Sequence, residues 1–372
     1  MKPSRRSAAV FTTIAATAAG LLAASGVLAA SANASPNAST TFIGPLRHTA
    51  VIASTTPANG DVNPYGVAVI PRDTGDLHRG DVLVSNFNNK ANVQGTGTTI
   101  VQVSPRGKAT LFAQITDKAC PGGVGLTTAL TSLNSGWVIV GSLPTRNGAI
   151  SGPGCLIVLD QWGHVRETIA GHGLDGPWDM TALEQGRTTE LFVTNVLGGI
   201  LGRHNPDGGT VQRLLITSAP NRAPRVLAST TIGSGFPART DPNALVIGPT
   251  GVGLGGNGTL YVADTLRNRI AAIPNAVYRH GDDGAGRTVS AGGALNANLG
   301  LAIAPNRDIL IVNGGNGNMV ETTPRGAQVA VRTVDKNSGG AGNLFGLAVK
   351  PGADAVYFVD DFGSDNNLQL LF

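Results

Sequence analysis

The sequence predicts an all-β fold, a six-bladed β-propeller, and three observations predict it. A short apolar run ending in Asn, Ser or Asp recurs six times. A small-residue strand, Gly-centred in all but one repeat, precedes each run. No helical periodicity survives after the N-terminal segment, while 52 Gly and 21 Pro supply turns between strand-length stretches.

Residues 1–34 read as a signal peptide. Lys2, Arg5 and Arg6 form a basic head, an Ala-rich stretch runs from Ala8 to Ala30, and Ala32-Asn33-Ala34 offers a small-x-small cleavage site after Ala34. The stretch approaches membrane-spanning length, so retention as an anchor is the alternative. Cleavage sends the chain to the extracellular space or periplasm, with no remaining membrane segment. It also removes three positive charges and no negative ones, taking the net charge from +4 to +1. With no Lys/Arg run in what remains, nucleic acid is excluded as a partner. Residues 35–45 are rich in Ser, Asn, Thr and Pro and are expected to be a disordered leader.

Residues 46–372 then read as a single propeller. His48–Ala53 is a strand with no partner of its own. The first strands of the repeats contain Tyr65-Gly66-Val67, Val124-Gly125-Leu126, Trp178-Asp179-Met180, Thr250-Gly251-Val252, Leu299-Gly300-Leu301 and Phe345-Gly346-Leu347. Small residues suit the crowded strands nearest a propeller axis. The second strands are the apolar runs Val82–Asn86, Val138–Ser142, Leu191–Asn195, Leu260–Asp264, Ile309–Asn313 and Val356–Asp360. Continuous apolarity is what a strand covered on both faces requires. Third strands are visible at Thr99–Val103, Cys155–Leu159 and Ile270–Ile273. An insertion rich in Pro, Arg, Ser and Thr is expected at about 218–246. The sixth repeat stops short, so the N-terminal strand is expected to complete it and close the ring. Cys120 and Cys155 are the only cysteines, and export makes a disulfide between them the favoured reading.

Leu260-Tyr261-Val262-Ala263-Asp264 followed by Arg267-Asn268-Arg269-Ile270 resembles the signature of the NHL-repeat β-propeller family, and the other repeats match it more loosely across residues 46–372. More distantly the chain is similar to the senescence-marker/gluconolactonase-like propellers, which are metal-dependent lactonases and esterases. That resemblance implies Asn and Asp metal ligands just before the Gly of the first-strand motif. The corresponding residues here are Tyr65, Val124, Trp178, Thr250, Leu299 and Phe345, none a carboxylate or an amide.

Two candidate sites follow. Tyr65, Trp178 and Phe345, with Asp179 beside them, form an apolar mouth to the central channel that suits a small ligand, a carbohydrate or a protein segment; the rings could equally pack together and seal the channel. Asn195, Asp264, Asn313 and Asp360, with Asn86 and Ser142 at the same repeat position, could converge as oxygen ligands for Ca²⁺ or serve as local turn caps. The loop Asp360–Asn367 is acidic enough to be a weaker Ca²⁺ candidate. The leading expectation is a monomeric, non-catalytic binding module whose ligand sits at the channel mouth or under the 218–246 insertion. The alternative is a Ca²⁺-dependent hydrolase or lactonase.

Overall fold

The computed structural model describes residues 41–116, 118–201, 205–242, 244–337, 342–363 and 366–372. The signal-peptide reading and residues 35–40 lie outside them. The described chain is a six-bladed β-propeller, each blade a four-stranded antiparallel sheet.

The inner strands, one per blade, are Val62–Val69, Leu126–Ser132, Pro177–Gln185, Pro249–Leu254, Asn298–Ile303 and Leu344–Val349. Each starts opposite the end of its second strand and then slips register. Pro64 faces Asn86 but Val67 faces Val84, and the same extra residue recurs at Pro177/Met180, Pro249/Val252, Asn298/Leu301 and Leu344/Leu347. Such a bulge turns the extra residues toward the axis. The space there is filled by backbone: a Cβ on Gly251, Gly300 or Gly346 would collide with the carbonyl of Leu299, Phe345 or Tyr65 in the next blade. Glycine at these places lets six sheets meet around one axis.

Blade two departs from the pattern. Leu126 faces Ser142 and Leu130 faces Val140, so two extra residues are accommodated. The residue equivalent to Tyr65 is therefore Thr127, not Val124, and the equivalent of the glycine is Thr128. The Gly123–Gly125 stretch mimics the motif one turn too early.

The second strands are buried along their apolar runs, as in Val82–Asn88 and Leu260–Asp264, because blades cover both faces. Hydroxyls stitch neighbouring blades: Ser85 donates to the Thr127 carbonyl at 2.7 Å, Thr128 to the Trp178 carbonyl, and Thr194 to the Thr250 carbonyl at 2.7 Å. The ring closes as the sequence predicts. Strand Thr49–Ser54 pairs antiparallel with Asn367–Leu371 and becomes the outer strand of blade six.

Two boundaries differ from expectation. Residues 41–45, expected within a disordered leader, are part of the fold. Phe42 and Ile43 are buried in the seam of the last two blades, and their backbone N–H groups donate to the Glu321 carboxylate at 2.7 and 2.9 Å. The 218–246 segment is only partly an insertion. Val226–Phe236 is the outer strand of blade three, and the added piece is a hairpin of Arg239–Asp241 with Leu245–Ile247. The outer strand carries no sequence signal because it is half-exposed and rich in Ser, Thr and Gly, with no apolar alternation.

Cys120 and Cys155 form a disulfide, with Cα atoms 6.0 Å apart and both residues buried. It ties the link entering blade two to that blade's third strand. A closed loop of 35 residues is worth about 3–4 kcal/mol on the chain-entropy view. A disulfide accords with an oxidising compartment. Among the described residues no helix is long and apolar enough to cross a membrane.

Candidate functional site

The axis is plugged by aromatic rings. Tyr65 stacks between Phe87 and Phe345, with centroids at 4.3 and 4.0 Å, and Trp178 lies 6.0 Å away. Tyr65, Trp178 and Phe345 are each no more than 2% exposed. The inserted hairpin lies over them: Leu245, Val246 and Ile247 share their apolar cluster, and Trp178 Nε1 donates to the Val246 carbonyl at 3.3 Å. The rings expected at an open mouth are thus a floor covered by a cap. They pack together because the bulges aim three flat side chains at one axis, and ring stacking plus the hairpin removes them from water.

The residues expected at the mouth therefore separate. Phe345 lines a cavity of about 530 Å³ above the plug, at the N-terminal ends of the inner strands. Tyr65 and Trp178 lie beneath it, and Asp179 opens on the opposite side of the plug.

The upper cavity is where polar chemistry collects. Blade one contributes Asn63, Asn88, Asn92 and Gln94, the hairpin contributes Asp241, and blade six contributes Asp361. Asn63 takes a left-handed backbone, φ 60°, and its N–H donates to Asn366 Oδ1 at 2.6 Å. Asparagine tolerates that conformation better than most residues. Asn88 Nδ2 donates to Asn92 Oδ1 at 2.7 Å, while Asn88 Oδ1 is buried without a hydrogen bond. Gln94 Nε2 donates to the Pro242 carbonyl at 3.0 Å and so ties the hairpin tip to blade one. The Tyr65 hydroxyl faces Asn63, Asp361 and Asp241. Asn63 lies close enough to favour the ionised phenol, yet neither the hydroxyl nor Asn63 Oδ1 makes a hydrogen bond of normal geometry. Burial, then the charge of Asp361, hold the Tyr65 hydroxyl neutral, well above its usual range.

Asp361 is the chemically poised group. Burial, then the charge of Asp360, push its carboxyl up to about 7, opposed by its own N–H and reinforced least by Asp335. An acid at that value can take up and return a proton near neutrality.

The six second-strand residues do occupy one repeated position, each opposite the inner-strand residue just before the register slip. The structure gives each a partner in its own blade or the strand joining it. Asn195 Oδ1 accepts from the N–H groups of Asp175 and Gly176, at 3.2 and 3.3 Å. Asp264 is paired with Arg269 at 2.8 Å, and Asn313 Nδ2 donates to the Ala294 carbonyl at 2.8 Å. Asp360 accepts from the Phe362 N–H at 3.0 Å and from Gln369 at 3.1 Å. Asn86 Nδ2 donates to the Thr55 carbonyl at 2.9 Å, and the Ser142 hydroxyl accepts from Gly125 N–H at 3.0 Å. Each is thus engaged locally, while Asn86 Oδ1, Asp264 Oδ1 and Asn313 Oδ1 are buried without a hydrogen bond. Among the described residues no three His, Cys, Asp or Glu side chains gather as metal ligands. The first-strand positions offer rings, Leu299 and threonines instead of amides and carboxylates. Neither donor set gathers the six or more oxygens that Ca²⁺ wants.

Asn63, Asn88, Gln94 and Asp241 carry no sequence signal of their own. Asp361 lies in the acidic Asp360–Asn367 loop, the one stretch whose composition points at this cavity.

No protein-family model matches the chain, and no curated protein matches it. Among solved structures it is similar to a gluconolactonase from Xanthomonas campestris, at 11% identity and a TM-score of 0.56, over 87% of this chain and 88% of that one. A putative gluconolactonase matches at 14% identity and a TM-score of 0.54, over 87% and 91%. The PQQ-bound aldose sugar dehydrogenase of Streptomyces coelicolor matches at 14% identity and a TM-score of 0.52, over 88% and 99%. Likeness at these identities establishes the propeller fold; activity has to be argued from the cavity.

Proposed function

We propose that the chain is an exported, monomeric propeller, of the NHL-repeat type in its blade grammar, that hydrolyses small polar esters or lactones in the cavity under the hairpin. The observation that carries this is Asp361, a half-buried carboxyl pushed up toward neutrality in a 530 Å³ cavity with amides around it and an aromatic floor. The enzymatic neighbours of the same fold support an active rather than a passive cavity.

In this reading the substrate's apolar edge lies on Phe345 and Leu299, and its hydroxyls bond the asparagine amides. Asp361 takes a proton from a water as that water adds to the carbonyl carbon. Amide N–H groups of Asn63 or Asn92 stabilise the oxygen that becomes negative. The tetrahedral intermediate then expels the alkoxide, and Asp361 returns the proton to it. The product is the acid with its free hydroxyl.

The test is turnover of a panel of aldonolactones and short-chain aryl esters by the chain from residue 35 onward, with Asp361→Asn beside it. Turnover in the wild type and a loss of roughly 10²-fold or more in kcat for a folded Asp361→Asn is the expected result. No turnover of any member, or an unaffected variant, would overturn the hydrolase. The plug of rings at the first-strand positions favours a second reading, a non-catalytic binding module, and saturable lactone binding without turnover would select it.

A further inference from the structure

On the face of the ring opposite the capping hairpin, turns of blades two and three enclose a cavity of about 410 Å³. Trp137 comes from the link between the first two strands of blade two. Asp160, Gln161, Trp162 and Arg166 come from the turn and strand start that follow its third strand, and Asn221 from the matching loop of blade three. Two of the chain's three tryptophans therefore line one cavity.

The turn that carries Trp162 recurs in blades one and five. Asp160 N–H donates to the His164 carbonyl at 2.9 Å and Gly163 N–H to the Asp160 carbonyl at 3.0 Å; Ser104, Gly107 and Lys108 make the same two bonds, as do Thr323, Gly326 and Ala327. The fourth place needs glycine, with φ of 83°, 78° and 97° in blades one, two and five. The third place is exposed in all three and holds Arg106, Trp162 and Arg325. The turn itself therefore does not call for an indole. Trp162 is 49% exposed and stacks on no other ring among the described residues. A lone exposed ring is ordinary, but this one is one wall of a cavity whose polar walls are held in place.

Asp160 does the holding. Its Oδ1 accepts from the N–H groups of Trp162 and His164, both at 3.0 Å, and its Oδ2 from Arg166 Nε and Nη2, both at 2.6 Å, with His164 Nδ1 3.4 Å away. The carboxylate is thus saturated, and its pairing with Arg166 leaves the lining without net charge. Gln161 is tied to blade one, its carbonyl accepting from Asp76 N–H at 2.9 Å and its Oε1 from the Thr74 hydroxyl. Trp137 Nε1 donates to the Ala219 carbonyl at 3.0 Å and anchors the loop that carries Asn221. Among the described residues this leaves Gln161 Nε2, Arg166 Nη1 and the Asn221 amide without partners. An ion gains little from a paired site, and a plain hydrocarbon would strand those polar groups. A proline ring would stack on the indole but brings no donor for Asn221 Oδ1. A neutral ring with hydroxyls at its edge and C–H groups on its face satisfies both the amides and the indole. We propose that this cavity is a carbohydrate-binding site for one neutral hexopyranose unit, its C–H face on Trp162 and its hydroxyls on Gln161, Arg166 and Asn221. It lies on the opposite face from Asp361 and does not depend on the hydrolase reading.

The experiment is titration of the chain from residue 35 onward with glucose, maltohexaose, cellohexaose and chitohexaose, followed by calorimetry and by tryptophan fluorescence. Sorbitol, with hydroxyls but no ring, is the control. Trp137 and Trp178 are buried, so a change in emission reports on Trp162. Saturable binding of at least one sugar with a blue shift is expected, and none with sorbitol. A hexaose that binds more tightly than glucose identifies a polymer as the source, and equal affinity a free sugar. Trp162→Arg puts back the residue that blades one and five carry in the same turn, so the melting temperature should hold while calorimetric affinity falls ~10-fold or more. Asn221→Ala is expected to weaken binding as well and guards against a folding defect in the first variant, whereas Asp361→Asn should leave it unchanged. No saturation by any sugar, undiminished affinity in Trp162→Arg, or equal affinity for sorbitol would each overturn the proposal. Saturation by decaproline but by no sugar would overturn it in favour of a peptide.

Discussion

Asp264, fully buried, and Asp361, half-buried, both stand at the ends of repeats, yet their surroundings give them different work. Asp264 is fully buried against Arg269 at 2.8 Å, with Arg267 at 3.5 Å. Arg269 also reaches the carbonyl of Ala285 at 2.7 Å. Removing the guanidinium leaves the buried charge with only the more exposed Arg267 beside it, so Arg269→Ala is expected to lower the unfolding free energy by up to about 3–5 kcal/mol, measured by urea denaturation. A change under about 1 kcal/mol, the range of an exposed pair, would contradict the assignment. The sequence puts Asp264 and Arg269 in one repeat signature but reads Asp264 as a Ca²⁺ ligand or a turn cap; the ion pair appears only in the structure. Asp361 was only half-legible: its acidic loop stands out, but the amides and the hairpin acid that make a cavity with it come from residues 63–94 and 241, which only the closed ring brings near.

At the scale of elements, strands declared themselves wherever apolar residues ran unbroken. The second strands are the clearest case, and the closing strand was readable from a leftover partner at each terminus. Elements whose role depends on position in the ring were not readable. The inner-strand motif of blade two lies three residues later than its sequence suggests, because Gly123–Gly125 satisfies the same local pattern. The exposed outer strand of blade three looked like loop, and the capping hairpin became recognisable only through its contacts with Trp178 and Gln94. Deleting residues 41–54 removes the outer strand of blade six together with the buried Phe42 and Ile43. Because that strand bridges the two ends of the chain, its loss exposes an edge and opens the ring. The truncated chain is expected to lose its single sharp thermal transition in calorimetry; a transition within a few degrees of the full chain's would show that closure matters little.

For the whole molecule, the buried acids set the pH dependence of stability. Asp361 and Asp179 are raised to about 7 and Asp175 and Asp308 to about 6, each first of all by burial. A carboxyl raised on folding binds its proton more tightly in the native state, so between the unfolded value near 4 and the folded value the native form holds more protons. Stability from these groups is therefore greatest at acid pH and falls as pH rises from about 4 to about 7. Thermal unfolding midpoints are expected to drop between pH 5 and pH 8, and the double variant Asp179→Asn/Asp361→Asn to flatten that drop. A midpoint that rises over the same interval would mean that these acids are not the buried, desolvated groups described here.

The central claim is that Asp361 works as a base in the cavity under the hairpin, and the pH dependence of kcat/KM on a lactone substrate tests it most directly. A base must be ionised to act, so the account predicts a rate rising with pH through an apparent pKa near 7. That limb should vanish in Asp361→Asn along with most of the activity. A wild-type profile flat across pH 5.5–8.5, or an identical limb in Asp361→Asn, would contradict the account.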